Sequence, residues 1–496
     1  MKDWLARAAT RDLTASIVVF LVALPLCMGI AIASGVPPEK GLVTGIIGGL
    51  IVGALAGSPL QVSGPAAGLA VIVFEIVRDK GLSALGPVLM LAGAIQVVAG
   101  IVRVGGWFRA ISPAVVHGML AGIGVLIVVG QFHVLFDDKP MASGLSNLVA
   151  MPGKLVGLGE ESAAAAFMVG LITIGGMLAW EKFRPAALRL MPGALVGVTI
   201  ATLAAFAFDL DVARVTVPDS LASAITLPEA GFLGQMLDSS VIVTALAIAF
   251  IASAETLLSA AAVDKMHDGV RTDYNKELRA QGVGNLLCGA AGAIPMTGVI
   301  VRSSANVQAG ALTRASAILH GVWILGFVAL LPWLLREIPM SALAGVLVIT
   351  GIRLVSLAHV KHLMHHYGPM PAVIWAATLI MVVATDLLTG VLTGLALSLV
   401  ETLPHFRRLR LHLHDEDHPE EKRGLALKGS ATFLTIPKLS ARLDKVEAKG
   451  HFVLNIHALH HVDHSCAEMI REWMDRMHRA GAKVEVRGET RHLKAR

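Results

Sequence analysis

Cysteine, aromatic side chains and charge are all scarce in this chain. Its 496 residues include 3 Cys, 2 Tyr and 15 Phe, and only 16% are charged. Cys27, Cys288 and Cys466 lie far apart without metal-ligand spacing, which excludes a disulfide framework and leaves them as packing residues. The shortage of aromatics means that helices must pack through small side chains, and the 50 glycines, spread through apolar stretches, provide them. So little charge at a mean hydropathy of +0.70 excludes a soluble globular protein of this size and leaves a polytopic membrane protein. No nucleic-acid partner is expected. Residues 1–11 carry Lys2, Arg7 and Arg11 but are followed by no small-residue cleavage site, so they read as a retained cytoplasmic segment.

Apolar stretches fall near 13–33, 41–57, 66–77, 85–102, 113–136, 164–181, 191–208, 239–262, 278–291, 298–310, 315–335, 341–355, 371–385 and 388–403, about fourteen candidate spans. With both chain ends inside, Arg103, Arg109, Lys182, Arg184, Arg189, Lys265, Arg271, Arg314 and Lys361 fall in cytoplasmic loops. The opposite loops hold Asp137, Asp138, Glu160, Glu161, Asp209, Asp211, Asp219 and Glu229, with Lys139, Lys154 and Arg214 as exceptions. After Glu401 the pattern changes. A polar linker over 406–424 is expected to join a membrane domain, 1–405, to a small α/β domain, 425–496, with strands at 425–427, 431–434, 452–456 and 484–486 and helices from Pro437 and over 465–479.

Two stretches interrupt the apolar pattern. Ser63-Gly64-Pro65-Ala66-Ala67-Gly68 and the segment from Gly289 to Asn306 carry Gly and Pro where a membrane helix would be continuous. The apolar runs after Pro65 and Pro295 are too short to cross alone, since a span needs roughly 20 residues. Paired interruptions in the two halves of a chain are expected to be half-helices whose N-termini face each other near the midplane, a trap for an anion. The candidate ligands are Ser63, Gly64, Ala66 and Ala67 on one side and Val301, Arg302 and Ser303 on the other. Glu255 lies in an otherwise apolar span, where an unpaired carboxylate costs about 3 kcal/mol or more. Three readings follow: a proton carrier, a Na⁺ ligand together with Ser259 one turn on, or a structural salt bridge to Arg302.

The chain resembles the sulfate permease (SulP) family of anion transporters along almost its whole length. The resemblance rests on Asp12-Leu13-Thr14, Leu24-Pro25, Ala33 to Pro38, Gly41-Leu42 and Gly64-Pro65, then on Glu255 to Ser259, Asn275 to Leu278, Gly282, Gly284-Asn285, Pro295, Gly298, Arg302-Ser303, Asn306 to Gly310 and Thr313-Arg314. The tail, with Phe433 to Leu439 and Val462 to Ser465, is similar to the family's STAS domain. The resemblance implies fourteen transmembrane segments in a 7+7 inverted repeat, divided into core and gate domains, working as a homodimer in the bacterial inner membrane with both termini and the STAS domain cytoplasmic. Leu26 and Cys27 follow the first-helix proline where many sulfate-type members carry Gln. Ala23 to Leu26 and Gly29 to Gly35 are instead similar to the bicarbonate branch, which makes a carbonic anhydrase a candidate partner. Glu255 with Arg302 is closer to proton-coupled members, so bicarbonate and sulfate both stay open.

No nucleophile–base pair or metal set is apparent, which disfavours an enzyme, and no cofactor is expected beyond a coupling H⁺ or Na⁺. The histidines at 359, 362, 365 and 366 and at 457, 460, 461 and 464 lack a zinc spacing and read as solvated or interfacial. Ser465 reads as a helix N-cap. An anion channel and a nucleobase permease of the same architecture are the competing functions; the first would conduct without coupling, and the second would not carry a STAS-like tail.

Overall fold

The computed structural model describes residues 2–488 apart from 109–111, 142, 157–160, 189, 217–220, 228–231, 268, 358–359, 362–363, 366–368, 403–410, 419–421, 433–434, 444 and 447–449. The chain divides into two compact units, one of residues 1–105 and 121–355, the other of 106–120 and 356–496.

In the first unit, α1 (Lys2–Ala33) and α2 (Pro38–Ile47, extended by a π-turn over Gly48–Val52) precede a short strand, β1 (Ser63–Pro65). The half-helix α3 (Ala70–Lys80) follows, then α4 (Leu85–Ile101), α5 (Pro113–Val134, which enters this unit at residue 121), α6 (Glu161–Phe183) and α7 (Gly193–Ala207). The second half repeats the break: α8 (Ser239–Lys265), α9 (Tyr274–Ala290), β2 (Met296–Gly298), the half-helix α10 (Ile300–Gln308), α11 (Ala315–Leu330) and α12 (Met340–Leu354). Among the described residues six helical stretches are long and apolar enough to cross a membrane: 8–33, 38–55, 82–101, 113–134, 163–183 and 239–264. At 11 and 9 residues α3 and α10 cannot span.

Small residues set the closest helix contacts, as the composition requires. Gly86, Gly93 and Gly100 of α4 recur every seven residues against Gly282 and Gly289 of α9. A methyl group at Gly93 would stand 2.5 Å from the Leu286 backbone nitrogen, and one at Gly289 2.8 Å from the Gly86 carbonyl. Any side chain there separates the two backbones. On α9 the face beyond this seam bears Glu277, Gln281 and Asn285, all fully buried, at the i, i+4 spacing that aligns side chains along a helix.

The second unit contains α13 (Pro369–Ala384), α14 (Leu387–Thr402) and a four-stranded sheet ordered β3 (Leu411–His418), β4 (Lys422–Ala431), β5 (His451–Val462) and β6 (Lys483–Arg487). The β3–β4 pair is antiparallel; β4–β5 and β5–β6 are parallel, so α15 (Ile436–Leu443) and α16 (His464–Arg479) are the crossovers. Leu425, Leu427, Leu439, Leu454, Ile470 and Trp473 form the core under the helices, with Trp473 Nε1 donating to the Leu443 carbonyl at 3.1 Å.

Two expectations are corrected here. The segment read as a linker, 406–424, includes strand β3 and the start of β4. Leu411-His412-Leu413-His414 alternates as a strand should. The N-cap of α16 is Asp463, whose carboxylate accepts from the Cys466 N–H at 2.8 Å, not Ser465. The histidines at 359, 362 and 366 lie outside the described residues.

Burial pushes the Cys466 thiol well above its ordinary value, and its Sγ donates to the Thr432 carbonyl at 3.1 Å. Asp463→Ala should therefore open the first turn of α16. With a cap contributing about 1 kcal/mol, alkylation of Cys466 at pH 8, followed by peptide mass mapping, is expected to accelerate roughly fivefold. An unchanged rate would mean that the cap does not hold this turn.

Candidate functional site

The two broken helices meet backbone to backbone. Strands β1 and β2 pair antiparallel with Ser63 opposite Gly298, Gly64 opposite Thr297 and Pro65 opposite Met296. A two-stranded ribbon inside a helical membrane protein leaves many backbone groups unpaired, and hydrocarbon offers them no water. Side chains from the surrounding helices take them up. Asn285 accepts from the Met296 N–H at 2.8 Å and donates to its carbonyl at 3.1 Å. Thr256 Oγ1 accepts from the Gly298 N–H, the Thr44 hydroxyl bonds both backbone groups of Ile294, and Asn306 donates to the Leu60 carbonyl.

From this crossing the two half-helices run outward, each presenting its N-terminus. In α10 the first helical bond runs from Ser303 N to the Val299 carbonyl, 3.0 Å, so the amides of Ile300, Val301 and Arg302 precede the ladder. In α3 the chain enters through a 3₁₀ turn at Ala67–Leu69, with Leu69 N donating to the Ala66 carbonyl and the amides of Ala67 and Gly68 ahead of it. All seven residues expected to hold the anion sit at this crossing, in different roles. Ala67 is half-buried, Val301 turns its side chain outward at 42% exposure and offers only its amide, and the Ala66 N–H is taken by the Pro295 carbonyl at 3.2 Å. The Ser303 hydroxyl is also occupied, accepting from the Val62 N–H at 2.9 Å and donating to the Val299 carbonyl at 2.7 Å. It fastens α10 to β1.

Arg302 is fully buried, and none of its three guanidinium nitrogens has a hydrogen-bond partner among the described residues. It lies beside the Cys27 sulfur and directly over Gly64, where a methyl group would collide with its Nη1. No carboxylate among the described residues bonds it. A buried charge without a partner costs several kcal/mol, which a bound anion would relieve.

Glu255 sits at the other N-terminus. Its carboxyl group lies against the Gly68 N–H and the Thr297 hydroxyl, Oε2 has no hydrogen-bond partner, and a methyl group at Gly68 would stand 2.7 Å from Oε2. The expected alternative of a Glu255–Arg302 salt bridge is corrected: among the described residues Glu255 Oε2 and all three Arg302 nitrogens have no hydrogen-bond partner. The two charges are held by different half-helices. Thus Gly64 makes room for the guanidinium and Gly68 for the carboxylate. Ser259, one turn along α8, is buried at 7% exposure.

Reasoning from the sequence missed Thr297, Cys27 as the residue facing Arg302, and the part played by Glu277 and Gln281. Gln281 Nε2 donates to Ser63 Oγ at 2.6 Å and to Glu277 Oε1 at 3.0 Å. The signal was present as the polar stripe Glu277, Gln281, Asn285 on one face of a membrane helix.

The model of the Sulfate permease family matches residues 10–378. The Bacillus subtilis (strain 168) protein YvdB is 32% identical over 495 residues, covering 96% of this chain and 91% of its own. The bicarbonate transporter BicA of Synechocystis is 26% identical over 412 residues, 80% of this chain and 70% of BicA. The solved transmembrane domain of a cyanobacterial BicA superposes with a TM-score of 0.66 at 22% identity, covering 77% of this chain and 97% of that domain. These matches establish a multi-pass membrane transporter of BicA-like fold, not an enzyme. With paired half-helices around an unpartnered cation and a family model spanning most of its length, this chain belongs to the sulfate permease family of anion transporters.

Proposed function

We propose that this protein is a secondary active transporter that moves a small inorganic oxyanion, bicarbonate or sulfate, across the bacterial inner membrane by alternating access, coupled to protons through Glu255. The observation that carries the reading is the Arg302 guanidinium, buried and without a partner beside Gly64, at the start of α10. An anion between the half-helices would be stabilised by that charge and by the amides of Ala67, Val301 and Arg302, replacing the hydration it loses. The family name supports sulfate, and the similarity to BicA supports bicarbonate. Both are oxyanions that a site lined by N–H groups accepts.

Coupling follows from the position of Glu255. Its carboxylate lies against the Gly68 amide, so an ionised Glu255 competes with the substrate for the positive end of α3. Protonation removes the repulsion, and the anion and the proton then load together. The linkage runs through the α3 amides and needs no contact with Arg302. A second reading has support of its own: Glu255, Thr297 and Ser259 offer oxygen ligands of the kind Na⁺ takes, and a cation there would neutralise the same carboxylate. Completing the proposal, both termini and the STAS-like domain are cytoplasmic, the protein is a homodimer, and a carbonic anhydrase is the candidate soluble partner for bicarbonate delivery.

Purified protein in liposomes, given labelled bicarbonate, sulfate or a dicarboxylate under imposed H⁺ and Na⁺ gradients, distinguishes these readings. Ala67→Leu is expected to raise KM at least tenfold by closing the approach to the α3 amides, with dimerisation and thermal stability unchanged; normal affinity would displace the site from α3. Glu255→Gln keeps shape but carries no charge to cycle. It should lose acceleration by an inward proton gradient while still exchanging anion. Uptake by the unmodified protein that requires Na⁺ and ignores pH would replace the proton with the sodium site.

A further inference from the structure

Ser63 carries the one hydroxyl on the β1 side of the proposed site, and its hydrogen-bond polarity is set from outside that site. Ser63 Oγ accepts from Gln281 Nε2 at 2.6 Å, and no acceptor among the described residues takes the Ser63 proton. The same Gln281 nitrogen donates to Glu277 Oε1 at 3.0 Å. Both of its hydrogens are therefore spent, while Gln281 Oε1 is buried without a partner. An amide leaves its own carbonyl unbonded only when something else dictates its orientation.

That determinant is Glu277. Its Oε2 accepts from the Gly57 N–H at 2.8 Å and the Ser58 N–H at 2.9 Å, and the residue is fully buried. Surrounded by three donors, it acts as an acceptor on both oxygens, as a carboxylate does, and Gln281 must turn its NH₂ group toward it. Were Gln281 reversed, its oxygen would face a carboxylate and the Ser63 proton would be drawn inward.

We propose that Glu277 and Gln281 are positioning residues that fix Ser63 as a hydrogen-bond donor to the transported anion. The inference rests on the reading of the half-helix crossing as the anion site. Its consequence is selectivity: with Ser63 held as a donor, it joins the helix amides and Arg302 in presenting N–H and O–H groups to the substrate, and Glu255 is left as the acceptor whose protonation gates loading, so an oxyanion is preferred over a neutral solute of similar size. A hydroxyl free to rotate would accept from such a solute as readily as it donates to an anion.

A double-mutant cycle on the full-length protein in liposomes, read as KM and maximal rate for labelled bicarbonate and sulfate, tests this. Ser63→Ala should raise KM roughly 10- to 100-fold, the effect of losing a hydrogen bond to a charged ligand, with a smaller change in maximal rate; Ser63→Thr should restore most of the affinity. Glu277→Gln and Gln281→Leu should each raise KM in the same direction. Gln281→Leu leaves the bonds from Gly57 and Ser58 to Glu277 intact and so separates polarity from loop support. In the Ser63→Ala background neither should add a further loss, because the hydroxyl through which they act is gone. Additive losses, or normal KM in both single variants, would overturn the relay while leaving the anion site standing. Normal KM in Ser63→Ala would instead remove Ser63 from the site, and the relay with it.

Discussion

Everything in the site follows from one constraint: inside the bilayer each backbone N–H and C=O must find a partner within the protein. A continuous helix meets this by itself, and a broken one does not. The price of the β1–β2 crossing is a set of buried polar side chains, and they occur where the chain would otherwise be starved of partners. Asn285 serves both groups of Met296, Thr44 both groups of Ile294, and Thr256 and Ser303 the amides of Gly298 and Val62. These residues hold the two half-helices in a fixed mutual register. Of the amides left over at the starts of α3 and α10, that of Gly68 meets the Glu255 carboxyl, and those of Ala67, Ile300, Val301 and Arg302 are the ones available to a ligand.

The distribution of charge obeys the same logic with opposite signs at the two helix starts. Near α10 a guanidinium is buried with no counterion among the described residues, so that side of the crossing has an excess of positive charge. Near α3 a carboxylate already lies against the Gly68 amide, so the positive end of that helix is partly neutralised. An anion placed between them, as proposed, would gain from Arg302 and be opposed by an ionised Glu255. On the proposed reading the charge on one carboxyl group would decide whether a substrate is held, and a balance of this kind couples two ligands without requiring them to touch.

Much of this was legible in the sequence because membrane folding leaves strong marks. The short apolar runs after Pro65 and Pro295 announced the half-helices, and the isolated Glu255 pointed to the carboxyl that lies at the start of α3. The pairing of Ser63 with Gly298 brings the predicted halves together as the repeat argument requires. What the sequence concealed was direction. An Arg and a Glu in facing segments read naturally as a salt bridge, yet the side chains leave their helices on different sides, one over Gly64 and the other over Gly68, and spacing along a chain does not encode that choice. Ser303 was similarly ambiguous, since a hydroxyl at a helix start suits a ligand and a structural fastener equally well, and only its two occupied hydrogen bonds decide for the second. In the tail, the acidic composition of 415–421 masked the alternation of Leu411 and Leu413 that makes β3 a strand.

The role of glycine in the Ser63-to-Gly68 motif changes once the side chains are visible. Glycine in a broken membrane helix is usually read as conformational freedom, yet neither Gly64 nor Gly68 adopts a positive φ. Both are required for space: one lets Arg302 lie on the β1 backbone, the other lets Glu255 reach the first amides of α3. A methyl group at either position acts on a charge before it acts on the fold. The same six residues therefore supply a hydroxyl, helix amides and the clearances for both ionisable groups. That concentration explains how a segment with no charged residue of its own can control the electrostatics of the whole crossing.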